Sequence, residues 1–185
     1  MHFSNKSLAT PDPTGVIEKM CVEDGIFFDW TIISEEGQRF PCHRVILAAK
    51  SSTMKFMMTT EMREKAEKET ILKYNSQVVE AFVDYFYKGE VPPEVLGSNL
   101  PSFLNLADLY DLKPLKAQTE DAAITGLTME NVVEMFSLAS LHNAKKLKKA
   151  SKFFIVENKK ILGQQDFSQV PRSVMTELFK LVTQS

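Results

Sequence analysis

Phe40-Pro41-Cys42-His43-Arg44-Val45-Ile46-Leu47-Ala48-Ala49-Lys50-Ser51 is the stretch on which the fold turns, because its hydrophobic period changes midway. Arg39 to Cys42 has the character of a short strand, and Pro41, which has no N–H to donate, belongs at that strand's end or on a sheet edge. From His43 the apolar residues run continuously through Val45, Ile46, Leu47, Ala48 and Ala49, which predicts a short helix. Ser51, Ser52 and Thr53 then supply cap-type side chains for a second helix carrying Met54, Phe56, Met57 and Met58.

Working outward, Asp29-Trp30-Thr31-Ile32-Ile33 is rich in strand formers and ends in the turn Glu35-Glu36-Gly37-Gln38, so it pairs with Arg39 to Cys42 as a hairpin. Before it, Val16, Ile17, Met20 and Cys21 recur at helical spacing. Glu61 to Glu69 is dense in mixed charge and reads as a solvated loop, and Thr70 to Tyr74 as a third strand. Ser76 is expected to cap a helix through Val79, Phe82, Val83, Phe86 and Tyr87, with Gly89 ending it and Pro92-Pro93 barring its resumption. Helices are expected over Leu100 to Leu112 and Leu115 to Ile124. Beyond Gly126, Thr128 caps a helix that His142-Asn143 breaks, a basic helix runs from Lys145 to Ile161, and Val174, Leu178, Leu181 and Val182 mark a last amphipathic piece. Three early strands followed by helices argue for an α+β domain with a helical tail. There is no internal repeat.

The 185 residues suit one domain, or one domain with a helical extension. Apolar residues make up 44% of the chain, enough for a real core, and 22 basic against 24 acidic residues leave a net charge of -2. That balance exerts no global pull on nucleic acid or anionic membrane. Cys21 and Cys42 are too sparse for a disulfide framework and read as reduced thiols of a cytosolic or nuclear protein. No apolar run reaches the roughly 20 residues that span a bilayer. Residues 1–15, with Pro11 and Pro13, read as a flexible leader or linker without a signal peptide's apolar segment.

Chemistry-bearing motifs are missing from the sequence. His2, His43, His142 and the two separated cysteines have no metal-ligand spacing, and no phosphate-binding glycine loop occurs. Asp29 and His43 invite an acid–base reading, but a buried carboxylate or imidazole more often holds backbone in place. Lys145, Lys146, Lys148, Lys149 and Lys152 form a basic run without interleaved aromatics, the pattern of a solvated helix face rather than a nucleic-acid platform. The expectation is therefore a binding module without cofactor or metal, not an enzyme, and with no nucleic-acid or membrane partner.

Asp29-Trp-Thr-Ile-Ile followed by Phe40-Pro-Cys-His43-Arg44-Val-Ile-Leu47-Ala48-Ala49-Lys50-Ser51 resembles the core signature of BTB/POZ domains, with Cys42 where alanine is usual. Phe86-Tyr87-Lys88-Gly89 resembles that family's Ile-Tyr-Thr-Gly helix end, and Leu106-Ala-Asp-Leu-Tyr110-Asp-Leu112 its Ala-Asp-x-Tyr-x-Leu helix. The resemblance covers residues 16 to 185 and implies a small three-stranded sheet flanked by helices over 16–125, then a helical extension over 126–185. Within the family the chain looks most similar to the speckle-type POZ group, in which a MATH domain precedes the BTB. No MATH domain is legible here, so substrates would be met by a missing or unrecognised domain.

Met62-Arg63-Glu64 matches the hydrophobic-x-Glu motif of cullin-3 binders, and Glu130-Asn131 with Leu138 to His142 resembles the helical pair called the 3-box. The resemblance thus implies an adaptor that brings substrates to a cullin-3 ubiquitin ligase, in the nucleus, the cytoplasm or both. Met62, Arg63 and Glu64 would contact the cullin N-terminal domain, with Met58 and Tyr110 as further contacts. The plainer alternative makes Met62 a core cap and Glu64 solvent charge. Val16, Ile17, Met20 and Cys21, with Val45 and Ile46 of the first core helix, would form a homodimer interface. The rival function is a homodimeric BTB scaffold of a transcriptional or cytoskeletal regulator that engages no cullin.

Overall fold

The computed structural model describes residues 27–60, 66–158 and 170–183. Three strands, β1 (Trp30–Ile33), β2 (Arg39–Cys42) and β3 (Glu69–Ile71), form one sheet in the order β2-β1-β3. β1 pairs antiparallel with β2 (Trp30 opposite Cys42) and parallel with β3 (Thr31 opposite Glu69). β2 is thus an edge strand, where Pro41 costs no ladder bond, as its chemistry requires. The first strand starts at Trp30, one residue after the expected Asp29, whose backbone N–H still donates to the Cys42 carbonyl at 3.3 Å and whose Oδ1 accepts the Arg44 backbone N–H at 2.8 Å. The third strand is shorter than expected and includes Glu69, which the charge-rich loop reading had excluded.

Helices α1 (Arg44–Lys50), α2 (Ser52–Thr59) and α3 (Ser76–Lys88) pack around the sheet. α3 is the central helix: Val79, Phe82 and Phe86 are sealed from solvent, and the Phe82 and Phe86 rings meet edge to face at 5.2 Å. Its cap is Asn75, whose Oδ1 accepts the Val78 N–H at 2.9 Å, so Ser76 is the first helical residue and not the cap. Gly89 closes it in the left-handed conformation (φ 81°), a geometry that glycine adopts without strain.

Pro92-Pro93 does not stop helix formation. Pro93 opens the short α4 (Pro93–Ser98), since proline's fixed φ and missing N–H suit the first helical position. α5 (Leu100–Leu109) ends three residues before the expected Leu112, because Asp111 turns the chain with φ 51°. α6 (Lys113–Thr125) likewise begins earlier than expected, with Pro114 accommodated in its first turn. After Gly126, Thr128 and Asn131 cap one another: Thr128 N–H donates to Asn131 Oδ1 at 2.8 Å, and Asn131 N–H to Thr128 Oγ1 at 3.4 Å. α7 (Val132–Leu141), α8 (Lys145–Glu157) and α9 (Arg172–Thr183) follow.

Buried side chains fall into three groups. The largest, from Trp30 to Leu115, holds the sheet to α1–α6. A second joins Val132, Val133, Phe136, Ile155, Val174 and Leu178 within the last three helices. The third spans both regions, packing Leu104 and Ala123 against Met135, Ala139, Ala144 and Leu147. The core therefore continues across Gly126, and the α7–α8 hairpin is seated on α5 and α6.

Candidate protein-docking face

Two serines at the start of α2 tie that helix to α5 beside a cleft between α2, α5 and β3. Ser51 Oγ accepts the Met54 N–H at 3.0 Å and donates to the Tyr110 carbonyl at 2.6 Å, and Ser52 Oγ donates to Asp111 Oδ2 at 3.0 Å. These bonds hold α2 beside the end of α5. Between the two helices and β3 opens a cleft of about 310 Å³, lined by Thr53, Met57, Glu67, Glu69, Ile71 and Leu109 and by Tyr110. Helical and strand periodicity also turn apolar side chains outward, Ile71 and Leu109 in the lining of the cleft and Phe56 outside that lining. On α2, Met54 and Met58 fill the core at i, i+4 spacing and leave Phe56 59% exposed. On β3, Thr70 points in, where its Oγ1 accepts the Trp30 indole N–H at 3.0 Å, and Ile71 points out, 64% exposed. On α5, Phe103, Leu106 and Tyr110 lie inside, and Leu109 is 55% exposed. Acidic groups stand among them: Glu67, and Glu69, which is paired with Arg39.

Phe56, Ile71 and Leu109 were not among the residues expected from the sequence, although a signal was available. Each is an apolar residue out of phase with its element's buried stripe, and such residues accumulate where a partner binds. Met62, Arg63 and Glu64 lie outside the described residues.

Met58 is not a surface contact here. It is buried, and on the turn of α2 that faces α1, where it lines a second shallow depression with Asp29, Arg44, Val45, Ala48 and Thr59. One residue is 100° of helix, and it is Met57, not Met58, that lines the cleft. Tyr110 is also buried, at the floor of the cleft, with its ring 5.4 Å from Phe82 and its carbonyl occupied by Ser51. For the expected dimer surface, Val45 stands 73% exposed on α1, whereas Ile46 is half-buried and packs on the main core. Val16, Ile17, Met20 and Cys21 lie outside the described residues.

The remaining candidates have structural work. His43 holds Tyr87: its backbone N–H donates to the phenol oxygen at 3.0 Å, its Nδ1 lies 2.9 Å from the same atom, and its ring rests on Phe28 at 4.8 Å. Asp29 caps α1. The Cys42 thiol is sealed from solvent, and burial, with the nearby Asp29 charge, pushes it up to about 12, so it stays protonated and unreactive. Burial also lowers Lys50 and raises Tyr85, and the Lys50 ammonium lies 5.7 Å over the Tyr85 ring. Among the described residues, no cluster of three or more His, Cys, Asp or Glu side chains is placed to hold a metal, and no helix is long and apolar enough to cross a membrane.

A family model described as the BTB/POZ domain matches residues 19–127. Kelch-like protein 23 of Mus musculus is 31% identical over 149 residues, which are 80% of this chain and 26% of that protein. TD and POZ domain-containing protein 5 of Mus musculus is 30% identical over 143 residues, 77% of this chain and 42% of that protein. Kelch-like protein 6 of Homo sapiens is 28% identical over 151 residues, 80% of this chain and 24% of that protein. The chain thus spans about a quarter of the Kelch-like relatives and under half of the TD and POZ relative.

Proposed function

We propose an adaptor's role for this chain, which belongs to the BTB/POZ domain family: it docks the N-terminal domain of cullin-3 in the α2–β3–α5 cleft and so joins a ubiquitin ligase. The observation that carries this reading is the cleft itself, whose lining includes the exposed Ile71 and Leu109 beside the carboxylates of Glu67 and Glu69. Exposed apolar side chains that a partner can desolvate supply most of the energy of an interface. Met62, Arg63 and Glu64, which follow α2 in the sequence, supply an anchor and an orienting charge. Met adapts to an irregular partner surface.

The α7–α8 hairpin acts as the 3-box of the speckle-type pattern and extends the docking face: His142 Nδ1, next in sequence to the exposed Leu141, sits 3.0 Å from Oδ2 of Asp108, next in sequence to the exposed Leu109. Two copies pair through Val45 and residues 16–21, and pairing adds avidity for a multivalent target. The chain supplies proximity and no chemistry of its own; a further domain meets the substrate, in nucleus or cytoplasm.

The test is calorimetry of the purified chain against the cullin-3 N-terminal domain, with the masses of chain and complex from light scattering. A complex with two copies of each supports the adaptor reading, and Met62→Asp should weaken it without changing the fold. A stable dimer that ignores cullin-3 would transfer the chain to the scaffold class.

A further inference from the structure

Helix α8 has no cap of its own. The residue at its N-cap position is Ala144, which has no side-chain acceptor, and two lysines, Lys145 and Lys146, open the helix where its dipole disfavours positive charge. The missing acceptor comes from another helix: Glu120 of α6, 7% exposed, accepts the Leu147 backbone N–H through Oε2 at 2.9 Å. One turn earlier on α6, Lys116 Nζ donates to the His142 carbonyl at 2.5 Å, at the C-terminal end of α7. The same ammonium lies 2.6 Å from Asp108 Oδ1 on α5, and the other oxygen of Asp108 meets His142 Nδ1. Lys116 and Glu120 stand at i, i+4 on one face of α6. That face thus offers a cation to the negative end of α7 and an anion to the positive end of α8, across the turn that joins them. The exposed Lys146–Asp121 pair at 3.3 Å adds little, since both groups are well solvated.

We propose that Lys116 and Glu120 form a clamp that sets the seat of the α7–α8 hairpin on the BTB domain, and that Glu120 is thereby a positioning residue for partner binding at the α2–β3–α5 cleft. Apolar packing of Leu147 and Ala144 on Ala123 holds the hairpin close but is non-directional, whereas the two charged contacts specify where each helix end must lie. Asp108 carries the constraint to the cleft, because it precedes Leu109 on α5 while His142 follows Leu141 on α7. The positioning role rests on the adaptor reading; the clamp does not.

The experiment compares the full chain with Glu120→Ala, Glu120→Gln and Lys116→Met. Amide hydrogen exchange is read at Leu147 and through α3, and affinity is measured for the cullin-3 N-terminal domain. Glu120→Ala should speed exchange at Leu147 by about tenfold, the equivalent of ~1.4 kcal/mol and within the range for loss of a cap. Exchange in α3 should stay at the parent's rate, which certifies the folded core. Affinity should fall by a similar factor, and Glu120→Gln, which keeps an acceptor in the same place, should restore part of both losses. Unchanged exchange at Leu147 would overturn the clamp. Faster exchange with undiminished affinity would overturn the positioning role. If Glu120→Ala fails to fold, Glu120→Gln and Lys116→Met decide by the same readings. If the parent chain does not bind cullin-3, the adaptor reading and the positioning role fall together, and the exchange data still decide the clamp.

Discussion

Replacing Leu109 tests the docking face most directly, because the side chain is large, apolar and 55% exposed at the rim of the cleft. Fully burying a leucine contributes about 1.5–3 kcal/mol. Rather more than half of Leu109 is still in water, so a partner that covers it gains about 0.8–1.6 kcal/mol from that residue. Leu109→Ala should therefore weaken cullin-3 binding roughly four- to fifteenfold. Leu109→Asp forfeits the same contact and also desolvates a carboxylate, which places its loss at about 100-fold or more. Neither change should move the melting midpoint by more than the equivalent of about 0.5 kcal/mol, since the side chain contributes little to the folded core. Calorimetry of each variant against the cullin-3 N-terminal domain, beside a thermal melt, measures both quantities. The exposed Phe153 on α8 does not line the cleft, and Phe153→Ala serves as the control that leaves affinity unchanged. If Leu109→Asp binds as tightly as the parent, the docking face is elsewhere.

Other perturbations probe the scaffold beneath that face. Phe82→Ala removes a sealed ring that touches both Phe86 and Tyr110, and should cost about 3–5 kcal/mol in a urea titration. Ser51→Ala deletes the α2 cap and leaves the Tyr110 carbonyl without that donor, so a loss of about 1–3 kcal/mol is expected, along with weaker partner binding as α2 and α5 separate. Cys42 should resist alkylation in the folded chain and react only after denaturation. Its folded pKa of about 12 lies above the ordinary 9.0, so its contribution to stability is complete below pH 9 and is lost as pH rises toward 12. Glu36, held below its ordinary value by the Ser76 hydroxyl and N–H, works in the opposite sense: its contribution is present above about pH 4.5 and fades on acidification, which a melt series from pH 7 to pH 3 would record.

Where local chemistry decides the structure, the sequence was sufficient to read it. The change of period at His43, the serine cap of α2 and the glycine at the end of α3 each act over a few residues, and each appears where expected. Proline at 93 and at 114 reads in the sequence as a terminator, yet its backbone serves equally well inside a first helical turn. Met58, one turn before Met62, and Tyr110, on the helix that the resemblance places along the groove, are both buried: on a helix one residue separates the solvent face from the core, and only the packed partner decides which is which. The residues that do face the cleft, Met57, Ile71 and Leu109, stand on three separate elements and become one surface only after β3 pairs with β1 and Ser51 ties α2 to α5.

The helix starts show most clearly what a linear reading misses. α1 begins at His43 with no side-chain cap of its own, and α8 begins at Ala144, which has none to give. By local rules both are weak starts. Each is completed by a carboxylate from another element: Asp29 at the head of the sheet for α1, and Glu120 on α6 for α8. Glu36, from the hairpin turn, adds a third such contact at the first residue of α3. A cap drawn from the adjacent residue stabilises a helix wherever that helix lies; a cap drawn from another element stabilises it in one place only. α1 carries the exposed Val45, and α8 begins the arm that follows Leu141, so the two helices with borrowed caps are the ones that bear on the proposed dimer and partner faces. Asp29→Ala should therefore do more than destabilise α1 by about 1 kcal/mol. It should loosen the placement of Val45 and lower the dimer's association constant, measurable by sedimentation equilibrium at a temperature where circular dichroism shows the domain still folded. A dimer of unchanged strength would mean that apolar packing alone seats α1.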